Sequence, residues 1–267
     1  MTGIVLRLEL RRSRSLTVWL AVVVLVYGAF IAAFYPFIRD NARLLDQYMA
    51  VLPKGMLAAF GLEGGLADRG VFFTTYISGM LWPIVAAIAA TFLGTRMVAA
   101  DADRGFIELP LATRISRMHY LAAGIAGQVL VLGVLSLATA VGVLVVGQVV
   151  NAGFDASRFL LEVPLLFAFS CALAGLSTLL SVITLNRGAS AGIVTAGLLA
   201  SYLLDAGSRL QADLDWLGTL SVFRYLRSTS AIDQGVAPIG ELALFGAIGI
   251  LAWLTAVWIF RTRDLVA

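Results

Sequence analysis

Side chains able to do chemistry are scarce in this chain of 267 residues. It holds one histidine, His119, and one cysteine, Cys171. An internal disulfide or a Cys-based metal site needs more than one thiol, so neither forms within the chain. The single lysine, Lys54, belongs to no GxxxxGK[ST] run, so no phosphate-cradling loop is encoded. No HExxH pair occurs, and Asp213 with Asp215 is too sparse a set to hold a metal-bound diphosphate. His119 falls at the edge of an apolar run, which suits an interfacial residue better than a catalyst. The expectation is no catalytic, cofactor-binding or metal site in this chain.

Patterned chemistry sits in one place, residues 99–118, AADADRGFIELPLATRISRM. Asp101, Asp103, Arg104, Glu108, Arg114 and Arg117 surround an apolar set of Phe106, Ile107, Leu109 and Leu111. A docking element needs both parts, since apolar side chains give burial and charges give register. A solvated turn lying on lipid headgroups is the alternative, but it has no use for the apolar set.

Composition says what must carry this segment. Hydrophobic residues make up 60% of the chain and charged residues 13%, with a mean hydropathy of +0.94. A soluble domain carries roughly a quarter charged residues. The balance excludes an ordinary soluble enzyme, a disordered chain and a secreted disulfide scaffold. It leaves an all-α polytopic membrane protein, a single transmembrane domain over 1–267. Six apolar runs are long enough to cross, at about 16–38, 71–98, 119–150, 159–185, 188–205 and 239–260. At 1.5 Å per residue the third would reach roughly 48 Å, so it tilts or projects past the headgroups. The first exceeds the usual signal-peptide core of about 7–15 residues and reads as a retained span.

With both termini in the cytoplasm, eleven of the nineteen Lys and Arg residues fall on the inner side and eleven of the sixteen acids on the outer. Residues 4–15 read as a basic interfacial helix with Arg7, Arg11 and Arg14 on one face, or as a plain positive-inside flank. Segment 39–70 carries a helical stripe of Leu44, Leu45, Tyr48, Met49 and Leu52 that ends at Pro53. Segment 206–238 mixes Trp216, Phe223 and Tyr225 with Arg224 and Arg227, which suits a surface-lying or re-entrant hairpin. Within the spans, Pro83 and Pro164 are candidate kinks, and Gly188 with Gly192 forms a GxxxG. Gln128, Gln148, Ser170, Ser177, Thr178 and Ser181 read as interhelical hydrogen-bonders. Arg158 and Glu162 are spaced to pair at i, i+4, and Asp205 reads as the solvated end of span 5. No ionisable residue stands mid-span to relay protons.

GFIELPLATRISR at 105–117 resembles a segment of the six-span permease subunits of ATP-binding cassette exporters of the ABC-2 type. Their pattern, acid-x-x-G-T-L-E-L-L-L-A-x-P-x-S-R, is matched at Gly105, Glu108, Leu109, Leu111, Ala112, Ser116 and Arg117. Phe106, Pro110 and Arg114 depart from it. LPKGMLAAFGLEGG at 52–65 is similar to the family's first external segment. LGTLSVFRYLRSTSAIDQG at 217–235 is similar to its second, with Val222 in place of a proline. The resemblance implies that the link between spans 2 and 3 is a coupling helix seated in a separate cytoplasmic ATPase. Asp101, Asp103, Arg104, Gly105, Phe106, Glu108, Leu109, Arg114 and Arg117 are then its contact residues. It further implies two ATPase copies holding ATP and Mg, a second permease copy or paralogue, and a bacterial inner-membrane location. The partners expected are those proteins and membrane lipids, with no nucleic acid. The uncharged spans favour an amphipathic, lipid-like or drug-like cargo for efflux. Rival readings are a secondary carrier without ATPase, a non-transporting membrane subunit using the same docking helix, and a membrane enzyme.

Overall fold

A computed structural model describes residues 2–53, 55–57, 65, 67–96, 98–99, 117–153, 156–210, 212–227 and 229–262. Every regular element among them is helical. Six helices are long and apolar enough to cross a membrane: Val5–Asp40, Arg69–Arg96, Met118–Val149, Ser157–Thr184, Arg187–Leu210 and Ile239–Thr262, spans 1 to 6. The expected all-α bundle is thus present. Helix is the form such residues must take, because lipid offers no partner to backbone N–H and C=O groups.

Span 4 is the axis. It buries 67% of its most apolar stretch, against 22% for spans 1, 5 and 6. Span 6 runs along one side of it and span 2 along another, while span 1 packs along span 3. Small residues set the closest approach. A Cβ on Gly175 would stand 2.7 Å from the carbonyl oxygen of Gly249, so only glycine lets spans 4 and 6 meet there. Gln128 then ties four spans. Its Nε2 donates to Thr178 Oγ1 at 3.0 Å and to the Leu93 carbonyl at 3.4 Å, and its Oε1 accepts from Trp253 Nε1 at 3.0 Å. The interhelical role read for Gln128 and Thr178 is the one they play. Ser181 likewise accepts from the Ala99 backbone N–H at 3.0 Å.

The bundle has two distinguishable ends. At one, Val5, Val98, Tyr120, Val182 and Phe260 share an apolar cluster, so the start of span 1, both flanks of the span 2–3 link and the close of span 6 lie together. We call this the terminal end. At the distal end Tyr35, Phe72, Phe73 and Phe159 stack edge and face. Polar ties fasten that end. Tyr35 donates to the Ala67 carbonyl, Arg69 to the Gly153 carbonyl, and Arg158 to the Asp233 carbonyl.

Several local expectations change. Residues 2–40 form one helix, so the basic segment runs into span 1 without a break. Arg7, Arg11 and Arg14 are exposed there, while Val5, Glu9 and Ser13 are buried. Pro164 marks a new start rather than a kink: Ala156–Leu160 ends, Leu161 and Glu162 turn, and Pro164 sits in the first turn of Val163–Thr184. Span 5 continues past residue 205 to Leu210. The stripe in segment 39–70 forms the helix Ala42–Val51, none of it buried. Segment 206–238 holds short helices at Asp215–Gly218, Val222–Leu226 and Ser230–Gln234. The GxxxG of span 5 faces outward, and a Cβ on Gly192 would meet nothing within 4 Å.

This contrast is measurable. Gly175→Leu overfills the contact between spans 4 and 6 and should cost about 1–3 kcal/mol, lowering the apparent melting temperature in detergent. Gly192→Leu should leave it nearly unchanged. An equal fall for both would contradict the packing described.

Candidate functional site

The residues expected to dock a partner, Asp101, Asp103, Arg104, Gly105, Phe106, Glu108, Leu109 and Arg114, lie outside the described residues. Arg117 opens the span 3 helix Arg117–Val149. Flanking positions are better defined. Val98 and Tyr120 are buried in the terminal-end cluster beside Val5 and Phe260.

Regular helix gives way in span 2. Thr74–Leu81 is π-helical, between the α-helical turns Arg69–Phe73 and Trp82–Arg96. Pro83 follows immediately. It has no N–H to donate to the preceding turn, and its ring crowds that turn's carbonyl, which a wider turn relieves. Neighbouring spans brace the segment. Tyr27 donates to the Tyr76 carbonyl at 3.1 Å, and Trp82 Nε1 donates to the Leu166 carbonyl at 2.9 Å. Asp68 caps the span's start by accepting from the Val71 N–H at 2.9 Å.

Spans 2 and 5 part around a groove of about 850 Å³. Met80, Ile84 and Ile88 line it from span 2, and Leu198 and Leu199 from span 5. Most of these apolar side chains are exposed, so the groove opens along its length. At its terminal end Arg187 and Arg96 lie against the Phe92 ring, 5.6 and 5.4 Å from its centroid. At its distal end stand Tyr202, Phe223 and Arg227.

Arg227 is the sharpest feature of the groove. Its side chain is 10% exposed. It lies 3.3 Å from Asp205, and Arg209 reaches the same carboxylate at 3.3 Å. Neither Nε nor Nη1 of Arg227 makes a hydrogen bond. Burial, and then Arg209, pull its pKa below the usual arginine value, while Asp205 and Tyr202 push it back. Guanidinium remains charged at neutral pH in any case. A Cβ on Gly79 would fall 2.6 Å from Arg227 Nε, so the π segment supplies a glycine where the cation lies against it. Asp205 is therefore a buried partner, 2% exposed, and not the solvated end expected. Of the two arginines that reach it, Arg209 lies one turn on in span 5, while Arg227 comes from a connecting segment that spacing along span 5 does not reveal.

The Arg158–Glu162 pair also fails to form. Glu162 is 1% exposed and accepts from Ser78 Oγ at 2.7 Å, while Arg158 turns to Asp233. The break at Leu161 and Glu162 removes the unbroken helical turn that i, i+4 spacing assumes. Asp233 sits close to Gly70, its carboxyl raised by burial and then by Asp68, against the lowering pull of Thr229, the Gly70 backbone and Arg69. His119 is exposed at the start of span 3. Cys171 is buried and free.

Six apolar spans, a groove between spans 2 and 5, and one end shared by the start of span 1, the flanks of the 2–3 link and the close of span 6 describe a membrane-embedded subunit. The family model described as ABC-2 family transporter protein matches residues 4–265. This chain belongs to the ABC-2 transporter family. Six spans fit a permease subunit of that family, which is a transporter component rather than an enzyme in itself. ABC-2 permeases generally work with a cytoplasmic ATPase. A comparison with curated proteins finds no match.

The cluster at Asp205 gives a direct check on this ABC-2 permease. Asp205→Ala strands a buried cation and should cost roughly 3–5 kcal/mol. Adding Arg227→Met should recover part of the loss, because Arg209, 22% exposed, is the less buried of the two cations and can turn outward. Melting of the single and double variants in detergent checks this. A double variant less stable than the single would show that the cluster does not act as a pair.

Proposed function

We propose that this ABC-2 permease is the membrane half of an exporter, driven by a separate cytoplasmic ATPase that docks on residues 99–118. One observation carries the reading. The flanks of that link share a buried cluster with the start of span 1 and the close of span 6. A single protein bound there reaches the link, the start of span 1 and the close of span 6 together. The same end carries Arg7, Arg11, Arg12, Arg14, Arg96, Arg187 and Arg261, which favours a cytoplasmic side. The setting is a bacterial inner membrane with both termini inside.

Within the link, Asp103 and Glu108 meet basic residues of the ATPase, and Arg104, Arg114 and Arg117 meet acids. Asp101 adds to the acidic entry, and Phe106 and Leu109 bury against the partner. Gly105 permits the tight entry into the coupling helix. ATP and Mg stay in the ATPase, present in two copies. A second permease, identical or paralogous, covers the small-residue face of span 5. The cargo is amphipathic, since the wall of the groove is apolar with cationic ends.

The decisive experiment is purification of the tagged chain from its native membrane. A stoichiometric P-loop ATPase should co-purify. Glu108→Lys should reduce bound ATPase and ATP-driven transport by about tenfold or more, since reversing a buried interfacial charge costs at least 2 kcal/mol or so. The spans should stay folded. Wild-type transport by that variant, with the complex intact, removes the docking assignment. A chain that transports with no ATPase bound removes the exporter reading.

A further inference from the structure

We infer that the groove between spans 2 and 5 binds an acidic phospholipid, its headgroup at Arg227 and an acyl chain laid toward Phe92. The inference rests on the permease reading, and it narrows the amphipathic cargo to a class.

Charge comes first. Arg227, Arg209 and Asp205 gather two cations on one carboxylate, leaving one net positive charge at the distal end of the groove. Arg227 Nη1 faces Asp205 Oδ2 at 3.3 Å without forming a hydrogen bond, and its Nε has no acceptor, so the nine-tenths-buried guanidinium is short of acceptors. A buried donor left unmade is costly, and a hydrogen bond to a charged group is worth about 1.5–3 kcal/mol. A phosphate set against the groove-facing edge of Arg227 supplies the missing negative charge, and guanidinium suits phosphate geometry. Among the described residues, none supplies it in full. Asp205 Oδ2 is divided between Arg209 and Arg227, 3.3 Å from each, and Phe223 offers Arg227 only its ring face, 5.9 Å from the centroid.

The shape then selects among anions. Below Arg227 the wall is Met80, Ile84, Ile88, Leu198 and Leu199, which gives a small soluble anion nothing to hold. From Tyr202 back to Arg187 span 5 rises about 23 Å at 1.5 Å per residue, the scale of an extended acyl chain. The wall side chains are exposed on the outer surface of the bundle, so a lipid enters sideways from the bilayer without crossing a polar rim. Each methylene buried adds about 0.8 kcal/mol relative to water but little relative to lipid. Selection therefore falls on the headgroup at Arg227, and the chain sets only depth.

The test uses the full chain in nanodiscs of phosphatidylglycerol and phosphatidylcholine. Each lipid is supplied in turn as a probe with the same diazirine-bearing acyl chain. The phosphatidylglycerol probe should label spans 2 and 5 about tenfold more than the phosphatidylcholine probe, the ratio that about 1.4 kcal/mol gives. Labelling of the exposed Val18–Phe37 face of span 1 should not discriminate. Arg227→Gln should bring the ratio on spans 2 and 5 close to one, and Arg227→Lys should keep part of it. Leu199→Trp fills the middle of the groove and leaves the cluster intact, so it should lower labelling by both probes. It also carries the test if the Arg227 variants do not fold. Equal labelling of spans 2 and 5 by both probes in the wild type means ordinary boundary lipid and overturns the inference. A preference that survives Arg227→Gln overturns it too. The assay needs no ATPase, so its failure is separable from a failed co-purification, which would strike the exporter reading alone.

Discussion

A lipid interior has no water to satisfy a stray polar atom, and the rest of this structure follows from that constraint. Gln128 is carried in the middle of the bundle because four spans converge on its amide. Glu162 is buried because Ser78 meets it from span 2. Ser136, Thr139 and Ser170, the last read from sequence as an interhelical bonder, instead turn back to carbonyls four residues earlier on their own helix, and Ser177, read the same way, makes no hydrogen bond among the described residues. Apolar packing gives such a bundle little direction, since lipid tails are as apolar as leucine. Polar contacts and close glycine approaches fix which span lies beside which.

Span 5 gives the molecule its flank. It leans on spans 2 and 4 and, like spans 1 and 6, leaves most of its surface open. Asn186 starts it, accepting from the Ala189 N–H at 2.8 Å after a left-handed Leu185. Its distal part is held from outside by Ser221, which donates to the Ser201 carbonyl at 2.8 Å, and by Arg227 on Asp205. A helix fixed mainly at its two ends and loosely in between is what a groove requires on one side.

Hydropathy made the six spans legible, since a long uncharged run has few other uses at this composition. Boundaries were legible only where charge and solvent coincide. Span 5 runs past Asp205 because Arg209 and Arg227 neutralise it, and a linear reading offers Arg209 one turn on but not Arg227 from across the connecting segment. Glu162 was assigned to Arg158 on spacing alone, which assumes the helix does not break between them. The ABC-2 family was legible from motifs at 52–65, 105–117 and 217–235. The buried cluster on the last of these was not, because a motif records order along the chain and not the neighbour across the bundle.

The π segment of span 2 has a geometric consequence. A π turn closes its hydrogen bonds one residue further along than an α turn. Side chains beyond it are therefore re-phased around the axis from where an unbroken α-helix would set them. Trp82–Arg96, which leads to the link between spans 2 and 3, takes its facing from Thr74–Leu81.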